Sequence, residues 1–318
     1  MAAATGTFQT YQSIGTREDL SNVIYNISPS DTPFMSMVGR GKATNTLHEW
    51  QTDVLDSVGA NAHVEGNEYT FAAQTPTVRL NNQTQISAKT VIVAGTQQVT
   101  SKAGRDSEMA YQLAKESKAL KRDMESALTG KVARAAGSAT VARTLGGYET
   151  WIRTNSSRGA GSPAGADPAS YGAAPTDAQS GSRRDITEAL LKTVIQSCYT
   201  NGGEPTTLMV GPVNKGKVSA FTGRASARQM ISETKIQGAA DLYSSDFGDF
   251  KVIPSRFCRE QTGYVIDPEF WKVVYLRDFK QEEVAKTGDA IKRALLVEYT
   301  LQASNQASSG VIADLNIT

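Results

Sequence analysis

At 318 residues the chain is long enough for one large or two small domains, and its 39% hydrophobic residues, 20% charged residues and 27 glycines suit moderate cores joined by extended segments. The 33 basic and 32 acidic residues leave a net charge of +1, which argues against a protein dedicated to binding nucleic acid. No stretch approaches 18 consecutive apolar residues and the first residues lack the basic and apolar regions of a signal peptide, so neither a membrane span nor a secretory leader is expected.

The first part of the chain predicts a short helix followed by a polar arm. Residues 17–27 place Leu20, Ile24 and Ile27 on one helical face, and two prolines downstream end that helix. A polar, extended run then leads to Trp50. This arm has too few apolar residues to form a core of its own, so we expect it to lie on another surface.

A long β-hairpin is predicted after the arm. Residues 47–54 form one candidate strand, and residues 78–80 and 86–99 show the alternation typical of the returning chain. The candidates for its buried face are Val91, Val93 and Val99. The tip, residues 61–73, is polar and offers few core residues, and an isolated hairpin is marginally stable, so it needs a neighbour.

Residues 104–134 predict a long amphipathic helix. Alanine, leucine and methionine recur there mostly at three- and four-residue spacing, and the helix would be about 45 Å long. The basic residues of its polar face include Lys115, Lys118, Lys121 and Arg122. A solvated face is favoured for this pattern, and a surface that meets nucleic acid is the alternative.

The remainder predicts a mixed α/β region and then long strands. Residues 154–182 are mostly glycine, alanine, serine and proline and predict a loop with almost nothing to bury. A capping-box pattern at 185–188 begins a helix, and Pro212 begins another at its first turn. The strands are predicted at residues 206–210, 250–253, 263–266, 271–276 and 291–301.

The strongest enzymatic pattern is G-x-x-x-x-G-K, which runs from Gly211 to Lys217 between a strand and a helix, as in a phosphate-binding loop. Val218 stands where a serine or threonine would ligate magnesium, and Pro212 removes a backbone N–H from the loop. A strand, a turn and a helix with proline at its first position explain the segment without a nucleotide.

No other pattern indicates catalysis or a metal. The histidines, His48 and His63, lack close spacing to the cysteines, Cys198 and Cys258, so a zinc site is not predicted. Both cysteines are expected to be free, as is usual in a reducing compartment. No G-x-S-x-G motif is present. The sequence therefore predicts no catalytic residue, cofactor or metal.

Two blocks of sequence carry a resemblance to a known family. Residues 17–55 include Ser-Pro-Ser-Asp-Thr-Pro-Phe at 28–34 and His-Glu-Trp-Gln at 48–51, and residues 288–305 form the second block. With the order of arm, hairpin, long helix, mixed region and returning strands, they resemble the major capsid (major head) proteins of tailed double-stranded DNA bacteriophages.

The resemblance implies an α+β fold of the Hong Kong 97 type and a structural protein without enzymatic activity. Such a protein would self-assemble into hexamers and pentamers of an icosahedral head that encloses double-stranded DNA. The alternatives are a P-loop-like nucleotide-binding enzyme using residues 211–217 and the shell of an encapsulin-type compartment.

The parts of that fold imply a division of this chain. They are an N-terminal arm (1–45), an E-loop hairpin with flanking strands (46–95), a peripheral domain with the spine helix (96–145), an axial domain (146–255) and return strands completing the peripheral domain (256–318). The implied contacts between subunits, at the hairpin tip, are His63, Glu65, Glu68, Tyr69 and Phe71. The implied DNA-proximal residues of the inner surface are Lys115, Lys118, Lys121 and Arg122.

Partners and location follow from the same resemblance. They are further copies of the chain, a portal protein and packaged DNA held by weak non-specific contact, with no membrane. No long helical segment precedes the arm, so a separate scaffolding protein is expected. The protein would be a component of the virion, assembled in the cytoplasm of a host bacterium.

Overall fold

The computed structural model describes residues 31–56, 58–68, 71, 73–102, 104–159, 170–178, 182–221 and 241–317. The α-helices in these ranges are α1 (Pro33–Met37), α2 (Gly95–Val99), α3 (Glu108–Thr129), α4 (Glu188–Thr200) and α5 (Pro212–Ser219). None of these helices combines the length and apolar content needed to cross a bilayer.

Twelve strands lie in the described residues. They are β1 (Gly39–Lys42), β2 (Leu47–Thr52), β3 (Val78–Gln83), β4 (Gln85–Ala94), β5 (Ser156–Ser157), β6 (Thr207–Val210), β7 (Leu242–Ser245), β8 (Gly248–Pro254), β9 (Gly263–Ile266), β10 (Trp271–Val284), β11 (Ala290–Ala303) and β12 (Gly310–Ile312). A four-stranded sheet has the order β1-β10-β11-β4, a six-stranded sheet the order β5-β12-β9-β6-β8-β7, and β2 pairs with β3 alone. The architecture is therefore α+β, as the sequence predicts.

The arm is structured from residue 33 onward, so the prediction of an extended run there is wrong in part. Pro33 occupies the first turn of α1, where its missing N–H costs nothing. β1 then pairs in parallel with β10, with Gly39 opposite Lys272. Phe34 is fully buried and meets Tyr148 edge to face, with ring centroids 5.9 Å apart. The helix predicted at residues 17–27 lies outside the described residues.

The hairpin forms as predicted. β2 and β3 pair antiparallel from Leu47 opposite Gln83 to Thr52 opposite Val78. β4 buries Val91 and Val93, but Val99 is 87% exposed because the chain leaves the strand at Gly95 and forms α2. The prediction of a buried Val99 is therefore wrong.

The long helix α3, which we call the spine helix, is shorter than predicted at both ends. The Ser107 side chain accepts the Ala110 N–H at 3.3 Å and caps its first turn, and Gly130 follows its last residue. At 22 residues it is about 33 Å long. Its buried apolar side chains are Met109, Leu113, Leu120, Met124 and Leu128, which lie on one face at helical spacing.

Part of the segment predicted to bury almost nothing is packed. Tyr171 stacks on the buried Trp151, with ring centroids 6.0 Å apart, and Ala178 is buried. Asp177 pairs with Lys131 and with Arg259. Residues 170–178 therefore pack against the rest of the subunit. For them, the prediction of a loop with almost nothing to bury is wrong.

The mixed region follows its predicted order. Thr187, rather than Asp185, caps α4, since its hydroxyl accepts the Leu190 N–H at 3.3 Å. The helix ends before Gly202, whose positive φ of 79° turns the chain away. β6 is buried along its whole length, and β10 and β11 each extend to 14 residues, beyond the strands predicted there.

Candidate assembly surfaces

The loop that joins β2 to β3, residues 53–77, carries apolar side chains with no cover. No helix or strand occurs among its described residues, and Phe71 is 97% exposed. The other exposed large apolar side chains among the described residues of this loop are Val54, Leu55, Val58 and Val64. A monomeric protein rarely concentrates apolar side chains on one projecting loop, so this loop is a candidate contact surface.

The predicted contact residues of the hairpin tip lie on this loop. His63, Glu65 and Glu68 are exposed with Phe71, whereas Tyr69 lies outside the described residues. A local turn orders the tip, because the Asn67 N–H donates to the Val64 carbonyl at 3.0 Å. The sequence reasoning missed the apolar residues at 54, 55, 58 and 64, whose signal was their isolation within a polar segment.

The base of the hairpin is fixed to the rest of the subunit. Trp50 packs against Trp151 with ring centroids 5.2 Å apart, and His48 Nε2 lies 3.1 Å from Gln302 Oε1. The fully buried Asn82 donates to the carbonyls of Gly146 (3.1 Å) and Leu301 (2.7 Å). The base of the hairpin is therefore packed against the subunit, whereas its tip is exposed.

The basic side chains of the spine helix divide into two groups. Lys115, Lys118 and Lys121 are exposed, and Lys115 shares a face with Lys118, since they lie three positions apart. Lys121 and Arg122 differ in lying over aromatic rings: the Lys121 Nζ is 5.9 Å from the Phe279 centroid, and the Arg122 guanidinium is 5.7 Å from the Phe257 centroid. The first two are the better candidates for a solvent-facing basic surface.

The candidate phosphate loop is a helix in the structure. Residues 212–217 lie within α5, and the Glu260 carboxylate accepts the Val213 N–H at 2.8 Å. A Cβ at Gly211 would overlap that carboxylate. Because Glu260 places a negative group where a phosphate would bind, the geometry opposes nucleotide binding. Lys217 pairs instead with Asp185 at 2.8 Å.

No metal site was found among the described residues, where no three His, Cys, Asp or Glu side chains converge. Cys198 and Cys258 are free thiols, as expected. Burial raises the pKa of each thiol to about 12, so neither is a reactive thiolate near neutral pH.

A buried ion network joins the end of the spine helix to the six-stranded sheet. The Arg259 guanidinium bonds Glu149 and Asp177, each at 2.8 Å, and Glu149 is fully buried. The Tyr264 hydroxyl donates to the carbonyl of Thr129, the last residue of the helix, at 2.9 Å. These contacts fasten the end of the spine helix to the six-stranded sheet, and nothing in the spacing of the residues predicted them.

A second network lies on the four-stranded sheet. Glu298, which is nearly fully buried, accepts from Arg143 at 2.5 Å, Arg277 at 2.8 Å and Thr84 at 2.8 Å. It sits where the pairing of β10 with β11 shifts register, between Tyr275 and Arg277. The carboxylate therefore holds two cations and the start of β4 at an irregular point of the sheet.

Comparisons with known proteins place the chain among phage capsid proteins. The model of the SU10 major capsid protein family matches residues 3–316. A curated relative, the "Major capsid protein" of Escherichia phage Phieco32, is 30% identical over 340 aligned positions, which cover 96% of each chain. An encapsulin-type shell and a P-loop enzyme are accordingly not favoured.

Solved structures share the fold. The chain is similar to a subunit of the cyanophage A-1(L) capsid, with 14% identity, a TM-score of 0.66 and coverage of 96% of this chain and 98% of that chain. It is also similar to the capsid of the native GTA particle, with 12% identity, a TM-score of 0.65 and the same coverage. These likenesses confirm the predicted α+β capsid fold of the Hong Kong 97 type.

Proposed function

This chain belongs to the SU10 major capsid protein family and is a structural protein of a phage capsid shell, and on that premise we propose that it self-assembles into hexamers and pentamers of an icosahedral head around double-stranded DNA. The observation that carries the proposal is the apolar loop at residues 53–77 on its rigid base. Its uncovered side chains need a partner, and a shell surrounds each subunit with further copies.

We propose that this loop is the E-loop and that the adjacent subunit covers it. Phe71, with Tyr69, would be its apolar anchor, and His63, Glu65 and Glu68 would form the polar rim. Burying apolar surface yields roughly 25 cal/mol per Å², so a loop with five exposed large apolar side chains has much to gain from a neighbour. Such a contact joins different patches of two subunits, as rotational assembly requires.

We also propose a domain division along the lines implied by the sequence. The four-stranded sheet and the spine helix would form the peripheral domain, and the six-stranded sheet the axial domain. β9 and β12, from the segment 256–318, lie in the six-stranded sheet, so the axial domain would take strands from that segment as well as from 146–255.

The proposals for the remaining partners are less detailed. Lys115 and Lys118 would meet packaged DNA weakly and without sequence preference, because contacts to phosphate carry no base information. A portal protein and a separate scaffolding protein would complete the head in the host cytoplasm. The subunit itself would have no catalytic role.

The test is to shorten the hairpin. Replacing residues 61–75 by a short Asn-Gly turn should leave the subunit folded, with little change in its thermal midpoint, and abolish closed particles in electron microscopy. Phe71→Ser should reduce the yield of particles, whereas Val141→Ser, at an exposed position on another loop, should not. Normal shells from the shortened protein, or its failure to fold, would show that the loop is not an intersubunit contact.

A further inference from the structure

A groove of about 740 Å³ lies between α1, the spine helix and β10. We call it the arm groove. Its apolar lining residues are Met35, Leu120, Tyr275, Phe279 and Leu295. Phe279 is 42% exposed, so the groove offers apolar surface that the subunit leaves uncovered. Its size falls in the range of roughly 300–1,000 Å³ that is usual for binding clefts in proteins.

One wall of the groove is a strand edge that is only partly covered. β1 pairs with β10 from Lys272 to Tyr275, and in the described ranges of the chain no other strand pairs with that edge. The uncovered stretch includes residues 278–281, which line the groove. An extended segment of another chain that enters the groove therefore meets backbone N–H and C=O groups as well as apolar side chains.

The groove carries an excess of positive charge. Its basic lining residues are Arg40, Lys121 and Lys280, against Asp278 alone on the acidic side among the described lining residues. Lys280 pairs with Glu282 at 3.2 Å, and the carboxylate of Asp278 balances at most one of the other two cations. A fitting occupant therefore combines apolar side chains with acidic ones.

The loop at residues 53–77 has both of these properties. Its sequence contains no lysine or arginine, and it contains four acidic residues, Asp53, Asp56, Glu65 and Glu68. All four are exposed, as are Phe71 and the other large apolar side chains of the loop named above. The loop is therefore an acidic and apolar projection, opposite in charge to the arm groove.

A second groove of the subunit is unsuited to this loop. It measures about 480 Å³ and lies beside β4 and the spine helix. The charged residues that line it in the described part of the chain, Glu108 and Glu116, are both acidic, and Glu108 is already paired with Arg105. Electrostatic complementarity therefore selects the arm groove for an acidic loop.

We propose that the acidic loop of one copy binds the arm groove of an adjacent copy. The loop does not occupy the groove of its own chain, because Phe71 is 97% exposed there. In the docked pair, Phe71 packs against Phe279, the most exposed apolar lining residue, and the carboxylates of the loop approach Arg40 and Lys121. Because loop and groove are different patches, each copy binds two neighbours, as rotational assembly requires. This inference rests on the contact role proposed above for the loop and adds the surface that receives it.

Charge reversal tests the match between loop and groove. Glu65→Lys with Glu68→Lys in the loop should lower the yield of closed particles in DNA-free assembly by about tenfold or more, because like charges then meet across the contact. Arg40→Glu with Lys121→Glu in the groove should lower the yield in the same way. Combining the two reversed pairs in one chain should restore most of the wild-type yield.

The control pair is Lys115→Glu with Lys251→Glu, at exposed positions outside the groove. It should neither lower the yield of particles nor rescue the loop variant. Normal particles from the groove variant, or no rescue when the two reversed pairs are combined, would overturn the proposal. Either result would leave intact the wider role of the loop as a contact between copies, which shortening the hairpin tests separately.

A disulfide trap supplies a second readout that does not depend on reversed charges. Phe71→Cys with Phe279→Cys in one chain should link copies into oligomers larger than dimers on a non-reducing gel, because docking brings the two Cβ atoms within bonding range. Cys198 and Cys258 do not compete, because burial raises the pKa of each thiol to about 12. The control is Phe71→Cys with Val141→Cys, whose second site is exposed on another loop. A monomeric product, or a ladder no stronger than that of the control, would overturn the proposal.

Discussion

The carboxylate of Glu125, in the middle of the subunit, accepts the backbone N–H of Phe34 at 2.7 Å, across 91 positions of sequence. Its second oxygen accepts the N–H of Met35 at 2.9 Å. Glu125 is fully buried on the spine helix, and burial raises the pKa of its carboxyl to about 7 although the two N–H groups oppose that rise. One side chain therefore fastens the structured part of the arm to the spine helix.

This carboxyl should make stability depend on pH. Because its folded-state pKa lies above the ordinary value of 4.5, its contribution to the free energy of unfolding is fully present below about pH 4.5 and is lost as the pH rises through about 7. Relative to Glu125→Gln, the wild-type subunit should lose up to roughly 3 kcal/mol of its free energy of unfolding between about pH 4.5 and pH 7. Urea unfolding at several pH values measures this loss. Parallel curves of unfolding free energy against pH for the two proteins would contradict the prediction.

Asn82 should be indispensable to the base of the hairpin. Its side chain also accepts the Gly146 N–H at 2.9 Å, so Asn82→Ala strands buried groups on Gly146 and Leu301 and should cost about 2–4 kcal/mol. Asn67→Ala, on the exposed tip, should change the free energy of unfolding by less than about 0.5 kcal/mol. Chemical denaturation of the unassembled subunits compares the two, and equal effects would refute the assignment.

The Arg259–Glu149 pair should show strong coupling. Arg259→Leu leaves the buried Glu149 carboxylate without its cation and should destabilise the subunit by about 3–5 kcal/mol. Adding Glu149→Leu removes that stranded charge, so the double variant should be more stable than Arg259→Leu alone. A double-mutant cycle from unfolding curves gives the coupling, and strictly additive effects would argue against a functional ion pair.

Lys115 and Lys118 should contribute to DNA retention if the spine helix faces the interior. The variant Lys115→Glu with Lys118→Glu should retain less random duplex DNA on open assemblies, and its salt dependence should flatten by about one unit for each lysine that binds a phosphate in the wild type. Lys251→Glu, at an exposed position of β8, is the matched control. Sequence-selective retention that persists at high salt would contradict the proposed weak binding.

The sequence by itself determined the elements whose signals are local. The spacing of apolar residues predicts the spine helix, strand alternation and turn residues predict the β2–β3 hairpin, and Pro212 predicts the start of α5. Each of these depends on residues within one or two turns of each other, where backbone sterics and periodic burial act directly. The two blocks of family resemblance then identified the capsid fold, which the order of the elements supports.

The tertiary structure decided what depends on residues distant in sequence. The backbone N–H groups of Phe34 and Met35 donate to the Glu125 carboxylate, which fastens a segment predicted to be a polar arm to the spine helix. The Glu260 carboxylate likewise occupies the helix start that made residues 211–217 resemble a phosphate loop. The exposure of Val99 likewise follows from where the chain turns after β4. Burial, charge pairing and pKa shifts arise when the chain brings separated groups together in a low-dielectric interior, so local spacing carries no signal of them.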